Sequence, residues 1–319
     1  MNDTPHIVVF GAGSIGCFVG GLMQAAGKKV TFIGRQRIID LLSEHGLNLT
    51  GYDGMDLSIL PSTLQLSQDA SDVAQADIIL VCVKSGATSE VAETILNHAK
   101  PSAVVASLQN GMRNAETLSG ILTKIDVRAG MVPFNVVQMG DGRFHRATSG
   151  EIMVQSGSPD LTNILRCPNL MIQTSDDMQA VLSGKLLVNL NNALNALSDL
   201  PLVEQLSRRE WRVSLAKQMD EALAVFKAEG VTPKPPSPVP AGLIPHILRL
   251  PTFLFKRVAK QMLEIDPNAR SSMWEDLEHG RKTEIGELQG EIIRRASEHG
   301  IDVPENLKIH ERIREAETS

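Results

Sequence analysis

The amino-acid sequence predicts an α/β domain built on a parallel sheet, followed by an all-helical domain. Two observations carry this. Up to about residue 175, short apolar runs of strand length alternate with helical periods; beyond it, only helical periods follow. Length agrees, since 319 residues exceed what one hydrophobic core usually serves. The expected domains are 1–175 and 176–319.

His6 to Phe10 reads as the first strand and is followed by Gly-Ala-Gly-Ser-Ile-Gly at 11–16 and a helix to about Ala26. Lys29 to Ile33 is the second strand, and a helix runs from Arg37 to His45. Ile78 to Val83 and Ala103 to Ser107 are further strands. Strands apolar on both faces and separated by helices belong to a parallel sheet covered on both sides. The turn-rich stretch 46–66 is placed at the sheet edge, and 128–157 reads as antiparallel strands around Gly140-Asp141-Gly142. Helical periods then cover 178–198, 207–229, 246–264, 273–279 and 283–299. The six prolines between 233 and 245 read as a loop inside the helical domain, in preference to a ligand for a proline-binding module.

Composition excludes several classes. With 31 Lys and Arg against 37 Asp and Glu, the net charge of −6 disfavours nucleic acid as the main partner. No apolar run nears the roughly 18 residues that span a bilayer, and Met1 to Pro5 carry no basic leader, so no membrane partner and a cytoplasmic location are expected. Cys17, Cys82 and Cys167 are too few and too scattered for a disulfide framework, and no Cys/His cluster has metal-ligand spacing.

The G-x-G-x-x-G at 11–16 follows a strand and opens a helix, which is the context of a Rossmann-like dinucleotide-binding domain. Gly11 makes the turn, Gly13 admits a diphosphate, and Gly16 lets helix and strand approach, while Ser14 and Ile15 begin the helix whose N–H groups face the phosphates. The second strand ends in Gly34-Arg35-Gln36-Arg37, with no acid for the ribose hydroxyls. Arg35, beside Arg37, suits a 2′-phosphate, so the expected cofactor is NADP(H). Lys84 and Gln109-Asn110-Gly111 follow later strands and fall at the same carboxyl edge.

Lys185, Asn189 and Asn192 stand at i, i+4 and i+7, on one helix face with Leu182, Leu186 and Val188 nearby. A partly desolvated lysine there is a proton donor near neutral pH; a lysine that reaches out to water is the alternative, and spacing leaves both open. Ser272 with Glu275 reads as a capping box. Spacing alone gives Glu284 no catalytic role.

Taken together, Gly11-Ala12-Gly13-Ser14-Ile15-Gly16, Val83-Lys84, Gln109-Asn110-Gly111, Lys185-Leu186-Leu187-Val188-Asn189, Ser271-Ser272-Met273, Asp276, Gly280-Arg281-Lys282-Thr283-Glu284-Ile285 and Gly300-Ile301-Asp302-Val303-Pro304-Glu305-Asn306 resemble the ketopantoate reductase family over nearly the whole chain. The resemblance implies NADPH-dependent reduction of 2-dehydropantoate to pantoate, on the way to pantothenate and coenzyme A. It implies Lys185 as general acid and Glu284 as the residue that binds the substrate's hydroxyl end and helps place Lys185. Asn110, Asn189 and Ser272 resemble substrate-positioning groups, Asp276 a supporting polar residue, and Lys84 the cofactor-side lysine; Asn110 also falls in the cofactor set. The substrate is expected in the cleft between the domains. One position departs from the pattern: a second helix asparagine, two turns after the lysine, is Ala193 here, with Asn192 one residue earlier. A paralogous reductase of another 2-oxo acid is therefore the second reading, and a non-catalytic NADP-binding sensor the third. The expected partner is a small-molecule 2-oxo acid, with a homodimer left open.

Overall fold

The computed structural model describes residues 4–259, 266 and 268–318. The chain divides into two compact units, Met1–Met178 and Gln179–Ser319. Among its described residues the first holds twelve strands and five α-helices. In order they are β1 (His6–Phe10), α1 (Ser14–Ala25), β2 (Lys29–Ile33), α2 (Gln36–His45), β3 (Leu47–Gly51), β4 (Asp56–Ile59), β5 (Gln65–Ser67), β6 (Ile78–Val81), α3 (Thr88–His98), β7 (Val104–Ser107), α4 (Asn114–Ile121), β8 (Asp126–Met131), β9 (Val136–Gln138), β10 (Arg143–Arg146), β11 (Ile152–Gln155), α5 (Leu161–Leu165) and β12 (Ile172–Ser175).

The main sheet runs β12-β11-β8-β7-β6-β1-β2-β5 and is parallel except for β11 against β8. From β5 to β8 this is the strand order of a dinucleotide-binding sheet, with its switch point between β1 and β6. Successive residues of β1 feed opposite cores. Ile7 and Val9 pack with Phe18, Leu22 and Phe32. Val8 and Phe10 pack with Val81, Ile95 and Leu118. Burial on both faces is why these strands are uninterrupted apolar runs.

Several expected bounds shift. Stretch 46–66 is an excursion that ends at the sheet edge but is itself ordered: β3 and β4 join a second sheet, β4-β3-β10-β9, and the chain returns as β5, the edge strand of the main sheet. Within 128–157 two antiparallel pairs form, β9 with β10 about Gly140-Asp141-Gly142 and β8 with β11, while β8 also continues the parallel sheet through β7 and β11 is parallel to β12. The strand from Ile78 ends at Val81, because Val83 turns to accept a bond from Gln109.

The second unit is helical among its described residues: α6 (Met178–Asn189), α7 (Asn191–Ser198), α8 (Leu202–Ser207), α9 (Arg209–Ala228), α10 (Ile244–Leu248), α11 (Thr252–Val258), α12 (Ser272–Glu278), α13 (Gln289–Glu298) and α14 (Pro304–Ala316). The expected 178–198 helix is interrupted at Leu190, whose carbonyl accepts from Gln289 Nε2 at 2.9 Å. The 246–264 period is split at Pro251, and its residues 260–264 lie outside the described residues. Helix α14 has no counterpart among the expected periods; its buried face is carried by Asn306, Ile309 and Ile313 alone. Arg212, wholly buried, donates to the carbonyls of Leu206, Leu248 and Leu250 and lies 4.2 Å from the Phe255 ring centroid, tying α8, α10 and α11 to α9. The proline-rich stretch is a loop up to Pro240. It packs on α6, where Lys234 N donates to Ala180 O at 2.8 Å and a Cβ on Gly184 would strike the Lys234 carbonyl.

Candidate active site

In the first unit the turn after β1 is pinned to the end of β2, with Gly11 N and Ala12 N each 3.0 Å from Ile33 O. Gly11 has φ +109°, and a Cβ there would lie 2.8 Å from Val83 N. A Cβ on Gly16 would run into the Gly11 carbonyl oxygen. Gly13 differs: it is exposed, and nothing lies within 4 Å of where its Cβ would be. Two glycines are therefore dictated by the fold, and the middle one opens the surface. Ser14 and Ile15 start α1, whose first turn has no acid and no side-chain cap. Open space over uncapped N–H groups at a helix N-terminus fits a dinucleotide diphosphate.

Arg35 is the exposed N-cap of α2, and Arg37 is exposed one turn in; the helix has no acid in its first turn. Lys84 is exposed and opens the 3-10 turn Ser85–Ala87. Ser85 Oγ donates to Asn110 O at 3.1 Å, so Lys84 and Asn110 stand on bonded loops at the carboxyl ends of β6 and β7. A buried amide network holds these loops. Gln109 Nε2 donates to Val83 O at 3.1 Å and to Thr88 Oγ1 at 2.8 Å, Thr88 Oγ1 donates to Asn114 Oδ1 at 2.8 Å, and Asn114 Nδ2 donates to Asn110 O at 2.5 Å. Nothing local in the sequence signals Thr88 or Asn114; their roles come from pairing of distant loops.

In the second unit Lys185 is half-buried on α6, and burial lowers its ammonium from the ordinary 10.5 to about 8. Such an acid is substantially protonated at neutral pH yet gives up its proton readily. Asn189, one turn on, is 7% exposed, and its amide has no protein hydrogen bond among the described residues. Its amide nitrogen and oxygen are not among the buried polar atoms left without a partner, so solvent reaches them. Asn192 is half-buried on α7.

The capping box falls differently than expected. Ser271, not Ser272, is the N-cap of α12, its Oγ accepting from Trp274 N at 3.2 Å; Glu275 is therefore not at the reciprocal position. Adjacent serines are equivalent caps in sequence, and packing against α7 chooses between them, since Ser271 Oγ donates to Asn192 O at 3.0 Å. Ser272 is left exposed at the first turn of α12. This brings the Asn192 and Ser272 segments together. Asp276, 6% exposed, accepts from Arg281 Nε at 3.0 Å. Glu284 is half-buried and opens the 3-10 turn Ile285–Glu287. Before it, Thr283 donates through N and Oγ1 to Glu317, each at 2.7 Å. Burial opposes charge on Glu317, but these bonds and Arg314 outweigh it and lower its pKa. After the turn, Gln289 ties the Glu284 segment to the α6–α7 junction through Leu190.

All three cysteines are free, with burial raising Cys82 to about 12 and Cys167 to about 11, so neither is a nucleophile. Among the described residues no cluster could hold a metal ion, and no helix is long and apolar enough to cross a membrane.

Comparison with known proteins identifies the family and the fold. The family model described as ketopantoate reductase PanE/ApbA matches residues 7–159, and its C-terminal counterpart matches residues 177–317. The chain is 28% identical over 308 residues to a 2-dehydropantoate 2-reductase of Halobacterium salinarum, covering 94% of each chain. It is similar to the crystal structure of a PanE/ApbA family ketopantoate reductase from Ralstonia eutropha, with TM-score 0.83, 31% identity and 98% of each chain covered. A D-mandelate dehydrogenase, solved with NADH and anilino(oxo)acetate, shares the fold at TM-score 0.81 and 20% identity over 98% of each chain. The chain belongs to the ketopantoate reductase family of oxidoreductases.

Proposed function

We propose that the protein reduces the 2-oxo group of a small 2-oxo acid with NADPH, and that 2-dehydropantoate, reduced to pantoate for pantothenate and coenzyme A synthesis, is its substrate. The observation that carries this reading is Lys185, a half-buried ammonium lowered to about 8, one helical turn from Asn189, whose amide solvent reaches. Gly11, Gly13, Ser14, Ile15 and Gly16 would hold the diphosphate, Arg35 the 2′-phosphate, and Lys84 and Asn110 the part of the cofactor nearer the reacting carbon. The bound nicotinamide supplies a hydride to the carbonyl carbon. Lys185 gives its proton to the carbonyl oxygen as negative charge develops there, so that hydride and proton complete the alcohol. Asn189, Asn192 and Ser272 hold the oxo acid. Glu284 takes the substrate's hydroxyl end, and Asp276, already paired with Arg281, supports that wall.

A second reading, reduction of another 2-oxo acid, is favoured by Ala193, which is wholly buried and offers no amide to a substrate. Oxidation of NADPH by the purified full-length chain tests both, with 2-dehydropantoate, pyruvate and 2-oxoisovalerate as acceptors and NADH as control. Fast turnover confined to 2-dehydropantoate with NADPH is the expected result. Turnover of another acceptor alone moves the assignment to the second reading, and NADPH binding without turnover of any acceptor leaves a sensor. A homodimer and a cytoplasmic location belong to the same proposal and are checked by sedimentation and cell fractionation.

A further inference from the structure

The run Asn189-Leu190-Asn191-Asn192-Ala193-Leu194-Asn195 carries four asparagines, and the structure sorts them. Asn191 exchanges two hydrogen bonds with Gln205, at 3.2 and 2.9 Å. Asn195, wholly buried, donates to Leu200 O at 2.8 Å and accepts from Ser271 N at 2.8 Å. The side chains of Asn189 and Asn192 have no protein hydrogen bond among the described residues. Two amides therefore serve the fold, and the amides of Asn189 and Asn192 reach solvent.

Ser271 is the hinge of this arrangement. It is wholly buried, and its N–H and hydroxyl together make three bonds: the N–H to Asn195 Oδ1, the hydroxyl to Asn192 O, and the hydroxyl oxygen accepting from Trp274 N. One residue therefore joins the backbone of Asn192 on α7 to the start of α12, and the next residue is Ser272. The bond to Trp274 is an ordinary helix cap. The bonds to Asn192 and Asn195 are not needed for capping; they fix the register of one helix against another.

We propose that Ser271 and Asn195 are positioning residues that hold Asn192 and Ser272 in one fixed relation and so set the affinity for the oxo acid. Neither touches substrate. They act by making a turn of α7 and the first turn of α12 move as one piece, which compensates for Ala193 by fixing the neighbouring amide in its stead. The proposal rests on the reductase reading above.

The test is a near-isosteric pair at one position. Ser271→Asn and Ser271→Asp add the same bulk, and both cap a helix through a side-chain oxygen. Only Asn can also donate to Asn192 O. The expected result is a KM for the oxo acid about tenfold higher in Ser271→Asp than in Ser271→Asn, the scale of losing one buried hydrogen bond. The KM for NADPH and the alkaline limb of the pH profile stay the same in both. Ser271→Gly, which removes the hydroxyl without adding bulk, serves if the Asp variant does not fold; it too should raise the oxo-acid KM alone. Equal oxo-acid KM values in the Asn and Asp variants, an unchanged KM in Ser271→Gly, or equal rises for oxo acid and NADPH overturn the proposal. A wild-type enzyme that turns over no 2-oxo acid removes the reading beneath it, and the proposal falls with it.

Discussion

Replacing Lys185 by Met should cripple the enzyme and stabilise it at once. Met keeps the length and helix propensity of Lys but carries no charge to desolvate. An ammonium held at about 8 against an ordinary 10.5 corresponds to about 3.5 kcal/mol at about 1.4 kcal/mol per tenfold change, and solvent reaching the half-buried side chain reduces the cost to the folded state to about 2–3 kcal/mol. The sign follows from proton binding. Between pH 8 and 10.5 the unfolded chain holds the proton and the folded chain does not, so wild-type stability rises with pH across that window. Below pH 8 the wild type bears the full penalty; above 10.5 it bears none. Lys185→Met should therefore be about 2–3 kcal/mol more stable than wild type at pH 7, with the gap closing by about pH 10.5. For a helical unit of this size that is a rise in Tm of roughly 6–10 °C at pH 7. Urea melts of both proteins at pH 7 and pH 10, followed by far-ultraviolet circular dichroism, measure it. Turnover should fall roughly 100-fold or more with loss of the proton donor. A Met variant no more stable than wild type at pH 7, or a gap constant with pH, refutes the desolvation argument. Unimpaired turnover refutes the assignment of the acid.

Other outcomes follow from the same geometry. Reductase kcat/KM should fall about tenfold per pH unit above roughly pH 8, as Lys185 loses its proton; a flat profile to pH 10 would assign the proton to another donor. Arg35→Ala should raise the KM for NADPH about tenfold or more and leave that for NADH unchanged, since only NADPH carries the 2′-phosphate, and steady-state kinetics with both cofactors decide it. Gly13→Ala should weaken NADPH binding while moving Tm by no more than about 3 °C, because its Cβ meets only open space. Gly16→Ala should lower Tm instead, by at least the few degrees that about 1–3 kcal/mol of overpacking brings, because its Cβ meets the Gly11 carbonyl.

What was legible in the sequence was whatever depends on neighbours along the chain. Strands β1, β6 and β7 announce themselves because burial on both faces makes them mostly apolar runs, and the glycine loop does so because its spacing sits between a strand and a helix. The positions of Lys185 and Asn189 on one helix follow from the 3.6-residue period. What escaped depends on partners far away. The break at Leu190 comes from Gln289, 99 residues on. The cap belongs to Ser271 and not Ser272 because Asn192 and Asn195 reach it from another helix. Four identical asparagines carry no local mark of which two face inward. Helix α14 shows only two buried isoleucines, too thin an apolar stripe to stand out.

The second sheet has a consequence for synthesis on the ribosome. Strand β3 finds its parallel partner β10 only across a long interval: the Thr50 and His145 side chains that meet at 2.9 Å are 95 residues apart. At about 5–20 residues per second, roughly 5–20 s pass between the emergence of the two. Through that time the β3–β4 hairpin presents an open edge, together with Leu47 and Leu49, which are wholly buried only in the finished unit. The nascent chain thus passes through an interval of stickiness that the mature protein does not show, and slower elongation between residues 60 and 140 lengthens it.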